Sequence, residues 1–191
     1  MRLMPIPARR HAALIAGLFL ATSLADHEAA ALEAGSPVAI GGFTYAPPRG
    51  DGWRARLYAE ENESELHTYE RADGDRSLQV QVSVFRPIRP IADQAAIVAW
   101  AKGARGVRQA TALRGQGATC ARYRHKFDQT LSLGGPSQSW ATIDERGAFC
   151  IDPKGSGRIL QLRIFERTPP GRTTGEIEAL AAPIIAGIRP R

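Results

Sequence analysis

The chain has 191 residues, with 25 basic and 19 acidic side chains, only two cysteines and an apolar fraction of 43%. That length and composition suit one globular domain with a single core, and they exclude a disordered, collagenous or disulfide-dense chain. The net charge of +6 is concentrated at the start, and 166 residues remaining after residue 25 carry only +3, which excludes the broad basic excess of a nucleic-acid binder.

Arg2, Arg9 and Arg10 open the sequence, and an uncharged apolar run follows over 12–24. Ser23-Leu24-Ala25 then places small residues where a signal peptidase reads. This order predicts a secretory signal peptide over 1–25 and one exported domain over 26–191, located in the periplasm or secreted. The apolar run is shorter than the ~20 residues of a spanning helix, so no retained transmembrane segment is expected.

Residues 26–35 read as a short helical leader. Strand signals follow at 38–40, 43–46, 53–59 and 65–71, with an acidic turn at 60–64 and a hairpin turn at 72–75. Leu78, Val80, Val82 and Val84 alternate with Gln79, Gln81 and Ser83, so one face of that strand is core. Pro87 and Pro90 end it. Asp93 is placed to cap a helix carrying Ala96, Ile97, Trp100 and Ala104.

The turn signal Gly134-Gly135-Pro136 separates two strands, over 118–131 and 138–152. Folded about residue 135, this hairpin opposes Cys120 to Cys150, Lys126 to Asp144, Phe127 to Ile143 and His125 to Glu145. An even cysteine pair in an exported chain is a structural disulfide, with Cα atoms expected about 4.4–6.8 Å apart. The segment Glu145-Arg146-Gly147 is the place where a bulge would shift the pairing. A further strand over 159–167 precedes Thr173-Thr174-Gly175-Glu176, which offers a capping box. Ile177, Leu180, Ala181, Ile184, Ile185 and Ile188 then form an amphipathic stripe in which Pro183 restricts the helix.

The elements predict an α+β fold: an antiparallel β-sheet covered by two helices, a single domain with one disulfide. Their order resembles the Mog1/PsbP-like fold, on Gly147-x-x-Cys150-x-x-Pro153, the strand over 159–167 and the terminal helix. Members of that fold serve as binding or assembly factors, so the resemblance implies a binding role.

Chemistry-bearing motifs point the same way. The sequence has no GxSxG, SxxK or CxxC, and its Gly-x-Gly pairs sit in turns, so no cofactor and no metal are expected. The basic segment 86–126 answers the acidic segment 60–75 and suits an anionic surface or an envelope protein as partner. Trp53 and Trp140, with Arg122 and Arg124, are the candidate binding residues. The reading is a non-catalytic exported binding or assembly module. The alternative is a small hydrolase using His125 as base and Glu145 as its orienter.

Overall fold

The computed structural model describes residues 36–59, 65–103, 109–132 and 138–191. The expected signal peptide, leader and acidic turn, with Ala104 of the first predicted helix and the Gly134-Gly135-Pro136 turn, lie outside the described residues.

Two short strands open the fold, β1 (Val38–Ile40) and β2 (Phe43–Tyr45). Next come β3 (Arg54–Ala59), β4 (Glu65–Asp73) and β5 (Arg76–Phe85), joined as antiparallel neighbours. Helix α1 (Gln94–Gly103) precedes β6 (Gln109–Leu113), β7 (Thr119–Ser132) and β8 (Gln138–Ile151). Strand β9 (Ile159–Thr168), helix α2 (Glu176–Ala186) and β10 (Arg189–Pro190) complete it. The main sheet is antiparallel with strand order β3-β4-β5-β9-β8-β7-β6, and β1-β2-β10 form a second, small sheet. The α+β class holds, although the sheets dominate.

Strand parity decides what each face meets. On one face lie Val80, Val82 and Val84 of β5, Leu160, Leu162 and Ile164 of β9, and both cysteines. Ile177, Ala181 and Ile184 of α2 close over them, together with Ile40, Phe43 and Tyr45 of the small sheet. On the opposite face α1 presses Ile97 and Ala101 onto Ala110, Ala121, Tyr123 and Phe149. The two helices therefore cover opposite faces, and the small sheet shares the covering with α2. Trp100 meets Phe149 edge-on at 4.7 Å and belongs to this second cluster. The Asp93 cap forms: its Oδ1 accepts from the Ala96 backbone N–H at 2.8 Å.

The long hairpin pairs as its cysteines require. Cys120 opposes Cys150, His125 opposes Glu145, and the register runs unbroken through Glu145, Arg146 and Gly147, with no bulge. The disulfide is present, with Cα atoms 4.1 Å apart, slightly shorter than the expected range. Direct opposition across neighbouring strands brings such a pair to the short end of disulfide separations.

Gly147 has its own reason to be glycine. A Cβ there would lie 2.3 Å from the Leu162 carbonyl oxygen and 2.5 Å from Tyr123 Cζ. The backbone oxygen is fixed by the sheet, so the added methyl has nowhere to go. Gly147→Ala should destabilise the protein by about 1–3 kcal/mol, the cost of overpacking a closed core. Urea denaturation of the variant checks this, and an unchanged midpoint refutes it.

The capping box does not form, which corrects the expectation from Thr173-Thr174-Gly175-Glu176. The helix begins only at Glu176, after Gly175 at φ 76°, and no side chain caps it in the expected way. Glu176 is drawn instead to Arg71 and Arg76, which hold its carboxyl below the usual range, chiefly through the Arg76 hydrogen bond. Thr174 Oγ1 donates to Glu166 at 2.6 Å and accepts from the Glu176 N–H at 3.2 Å. Tertiary ion pairs have displaced a local motif.

Candidate functional site

The hairpin turns its charged residues to the same face that α2 covers. Even-numbered positions of β7 put Arg122, Arg124 and Lys126 there, after Cys120. The apolar stripe of α2 can lie flat only on the small and apolar positions, Ala148 and the two cysteines. Beyond them, the helix and the outer strands diverge and leave a cleft of about 510 Å³. That is within the range of small-molecule sites, roughly 300–1,000 Å³.

The cleft is polar along one end and apolar along the other. Arg124 and Arg146 are directly opposed partners across β7 and β8, and both line it with Arg122. Like charges opposed across a sheet cost stability. Arg146 is drawn off by carboxylates, pairing with Asp144 and with Glu178 of α2, the latter at 2.9 Å. Arg122 and Arg124 have only neutral acceptors: Arg122 Nε donates to Thr111 Oγ1 at 3.1 Å, and Arg124 Nε donates to Gln109 Oε1. Neither is paired with a carboxylate among the described residues. Leu113, Ala181, Ala182 and Ile185 wall the other end. A second hollow of about 330 Å³ shares Gln109, Arg124 and Arg146 and extends the basic strip to Lys126 and His125.

Two of the four candidate binding residues thus come together, and two stand apart. Trp140 is 54% exposed and lies six residues along β8 from Arg146, on the order of 20 Å. Trp53 stands at the far edge of the sheet, half-buried against the core, with the Arg71 guanidinium 5.1 Å from its ring centroid. Its indole N–H has no hydrogen-bond partner among the described residues. Sequence reading missed Arg146, yet the hairpin register that pairs the cysteines also opposes it to Arg124.

His125 and Glu145 are opposed as the register demands, but their side chains are engaged elsewhere. The Glu145 carboxylate is 1% exposed, accepting from Tyr123 Oη at 2.7 Å and from Arg163 at 3.0 and 3.2 Å. His125 stacks on Phe127 with ring centroids 4.6 Å apart. Glu145 in this position is an anchor for Arg163, whose Nη1 also donates to Gln81 at 3.0 Å. No group of three His, Cys, Asp or Glu gathers in metal-ligating geometry among the described residues.

A second polar cluster sits under the small sheet. Tyr45 Oη lies 2.8 Å from His67 Nδ1 and 2.7 Å from Tyr69 Oη, all buried. Burial depresses the His67 pKa, against the raising influence of Glu65. The unfolded ring titrates near 6.5, so the unfolded state binds the proton first. Stability should therefore be full above pH ~6.5 and fall as the pH drops below it toward the folded value. Urea midpoints at pH 8, 6.5 and 5.5 should fall less steeply in His67→Gln than in the parent; identical slopes would refute the assignment.

No protein-family model matches the chain, and no curated protein matches it in sequence. Among solved structures, the chain is similar to a crystal structure of LpqN, described as involved in cell envelope biogenesis of Mycobacterium tuberculosis, with a TM-score of 0.44 and 16% identity over 81% of this chain and 88% of that one.

Proposed function

We propose that this chain is an exported, non-catalytic binding module that holds an anionic group in the cleft between α2 and the β6–β7 edge. The carrying observation is the opposed pair Arg124 and Arg146 with Arg122 beside them, facing one cleft. Asp144 and Glu178 both answer Arg146, so Arg122 and Arg124 leave that surface electropositive. An anion bridging Arg122 and Arg124 relieves the repulsion and supplies the charge-assisted hydrogen bonds that guanidinium forks make best.

Export is supported by the signal-peptide pattern over 1–25 and by the disulfide, which persists in oxidising compartments. No helix among the described residues is long and apolar enough to cross a membrane. An envelope component, or a ligand of the envelope space, is the partner this placement implies. A Mog1/PsbP-like relationship is part of the same proposal, supported by the order of elements.

The test is anion-dependent stabilisation of the exported protein. Ligand that binds only the native state raises the melting temperature with concentration. Inorganic phosphate should do so for the parent protein and not for Arg122→Gln/Arg124→Gln. Because these side chains are exposed, the double variant should fold with an unchanged circular dichroism spectrum. Equal stabilisation of parent and variant would refute the site.

A further inference from the structure

The polarity of the cleft specifies its ligand further, on the reading that it binds an anion. We infer that it takes a phosphomonoester carried on a short apolar chain, with the phosphate at the Arg124–Arg146 end and the chain lying along α2. Charge sets the head. Arg122 and Arg124 contribute two positive charges that no described carboxylate answers, while Arg146 is balanced by Asp144 and Glu178. A phosphomonoester carries close to two negative charges at neutral pH, whereas a carboxylate, a sulfate ester or a phosphodiester carries one.

Register sets the direction. Along β7 the order is Cys120, Arg122, Arg124, and across β6 these pair with Leu113, Thr111 and Gln109. Glu178 near the start of α2 meets Arg146, which opposes Arg124, so this is the charged end. Farther along α2, Ala181, Ala182 and Ile185 face the end where Leu113 pairs with Cys120. Among the lining residues, apolar surface thus begins where Arg122 ends. Gln116, buried at that end, is held by Arg189, its Oε1 accepting at 2.6 Å. Arg189 donates there only to neutral oxygens and stands behind Gln116, outside the residues that line the cleft. The size of the cleft suits a head and a short chain rather than two full acyl chains.

Titration calorimetry with the exported protein tests this directly, using hexyl phosphate, propyl phosphate, inorganic phosphate, hexyl sulfate and hexanoate. Hexyl phosphate should bind most tightly, gaining about fourfold for each methylene seated against the apolar wall. Arg124→Gln should weaken it by on the order of tenfold or more, the loss of a charge-assisted bond. Ala182→Trp, at an exposed position, should fill the apolar end and abolish the chain-length dependence while inorganic phosphate still binds. Vesicles containing phosphatidic acid separate the two sources of this chemistry. Capture by them, absent with phosphatidylglycerol, identifies a lipid head group, and binding of soluble alkyl phosphates without vesicle capture identifies a free ligand. Hexyl sulfate or hexanoate binding as tightly as hexyl phosphate overturns the phosphomonoester inference and leaves the anion site standing. Affinity independent of chain length overturns the apolar half. Failure of every anion to bind overturns both readings.

Discussion

Glu166→Ala should be among the most destabilising single substitutions in this protein, costing about 3–5 kcal/mol. Glu166 is 1% exposed on β9 and accepts from Arg76 Nε at 2.6 Å and from Thr174 Oγ1 at 2.6 Å. Arg76 also reaches Glu176, and Arg71 joins it there, so β4, β5 and β9 are tied to the first turn of α2. Removing Glu166 leaves the largely buried Arg76 with only peripheral carboxylates and strips the bond that positions Thr174. Arg76 keeps Glu176 and Asp73 but faces a vacated buried position at Nε, and an incompletely compensated buried charge is what makes breaking such a pair costly. For a domain of this size the melting temperature should drop by roughly 10 °C, at about 2–4 °C per kcal/mol. Glu166→Gln, which keeps an acceptor for Thr174, should lose less. A drop below about 2 °C in the alanine variant would show that the network is decorative.

The same network explains why part of the fold could be read from sequence and part could not. The hairpin register was legible because one turn and two cysteines fix it, and every opposed pair then follows. The alternation of β5 and the stripe of α2 were legible because burial on one side imposes a period. Strand β6 was not: the alternation in Gln-Ala-Thr-Ala-Leu rests on two alanines, a weak apolar signal, and the segment is ordered by pairing with β7 at the sheet edge. Two-residue β10 exists only because β2 is there to receive it. The capping box failed because Glu176 is claimed by arginines a hundred residues away in the chain, an attraction no local window contains.

The candidate site divides in the same manner. Arg122 and Arg124 share a face by strand parity, so their convergence was readable, and Arg146 was readable from the register. The cleft itself was not, because it depends on where α2 stops lying flat. The tryptophans illustrate the converse. Trp53 and Trp140 suggest a binding surface as residue types, yet Trp53 precedes edge strand β3, Trp140 lies on β8 with three strands between them, and neither lines the cleft. Residue type nominates a site, and topology assembles it.

Loss of the disulfide should cost about 3–4 kcal/mol without changing the fold. The bond closes a loop of sequence separation 30, and constraining such a loop in the unfolded chain is worth that much in the chain-entropy account. The native hairpin does not depend on it for register, since the strands pair over their full length and Ala121, Phe149 and Tyr123 pack on the other face. Cys120→Ala/Cys150→Ala should therefore melt roughly 10 °C lower with an unchanged circular dichroism spectrum. Both sulfur-bearing residues are fully buried, so the native exported protein should show no alkylatable thiol and one Cys120–Cys150 crosslink by mass spectrometry. Two reactive thiols in native protein, or an unchanged melting temperature in the variant, would show that the hairpin is held by packing alone and that the cysteines have no part in its stability.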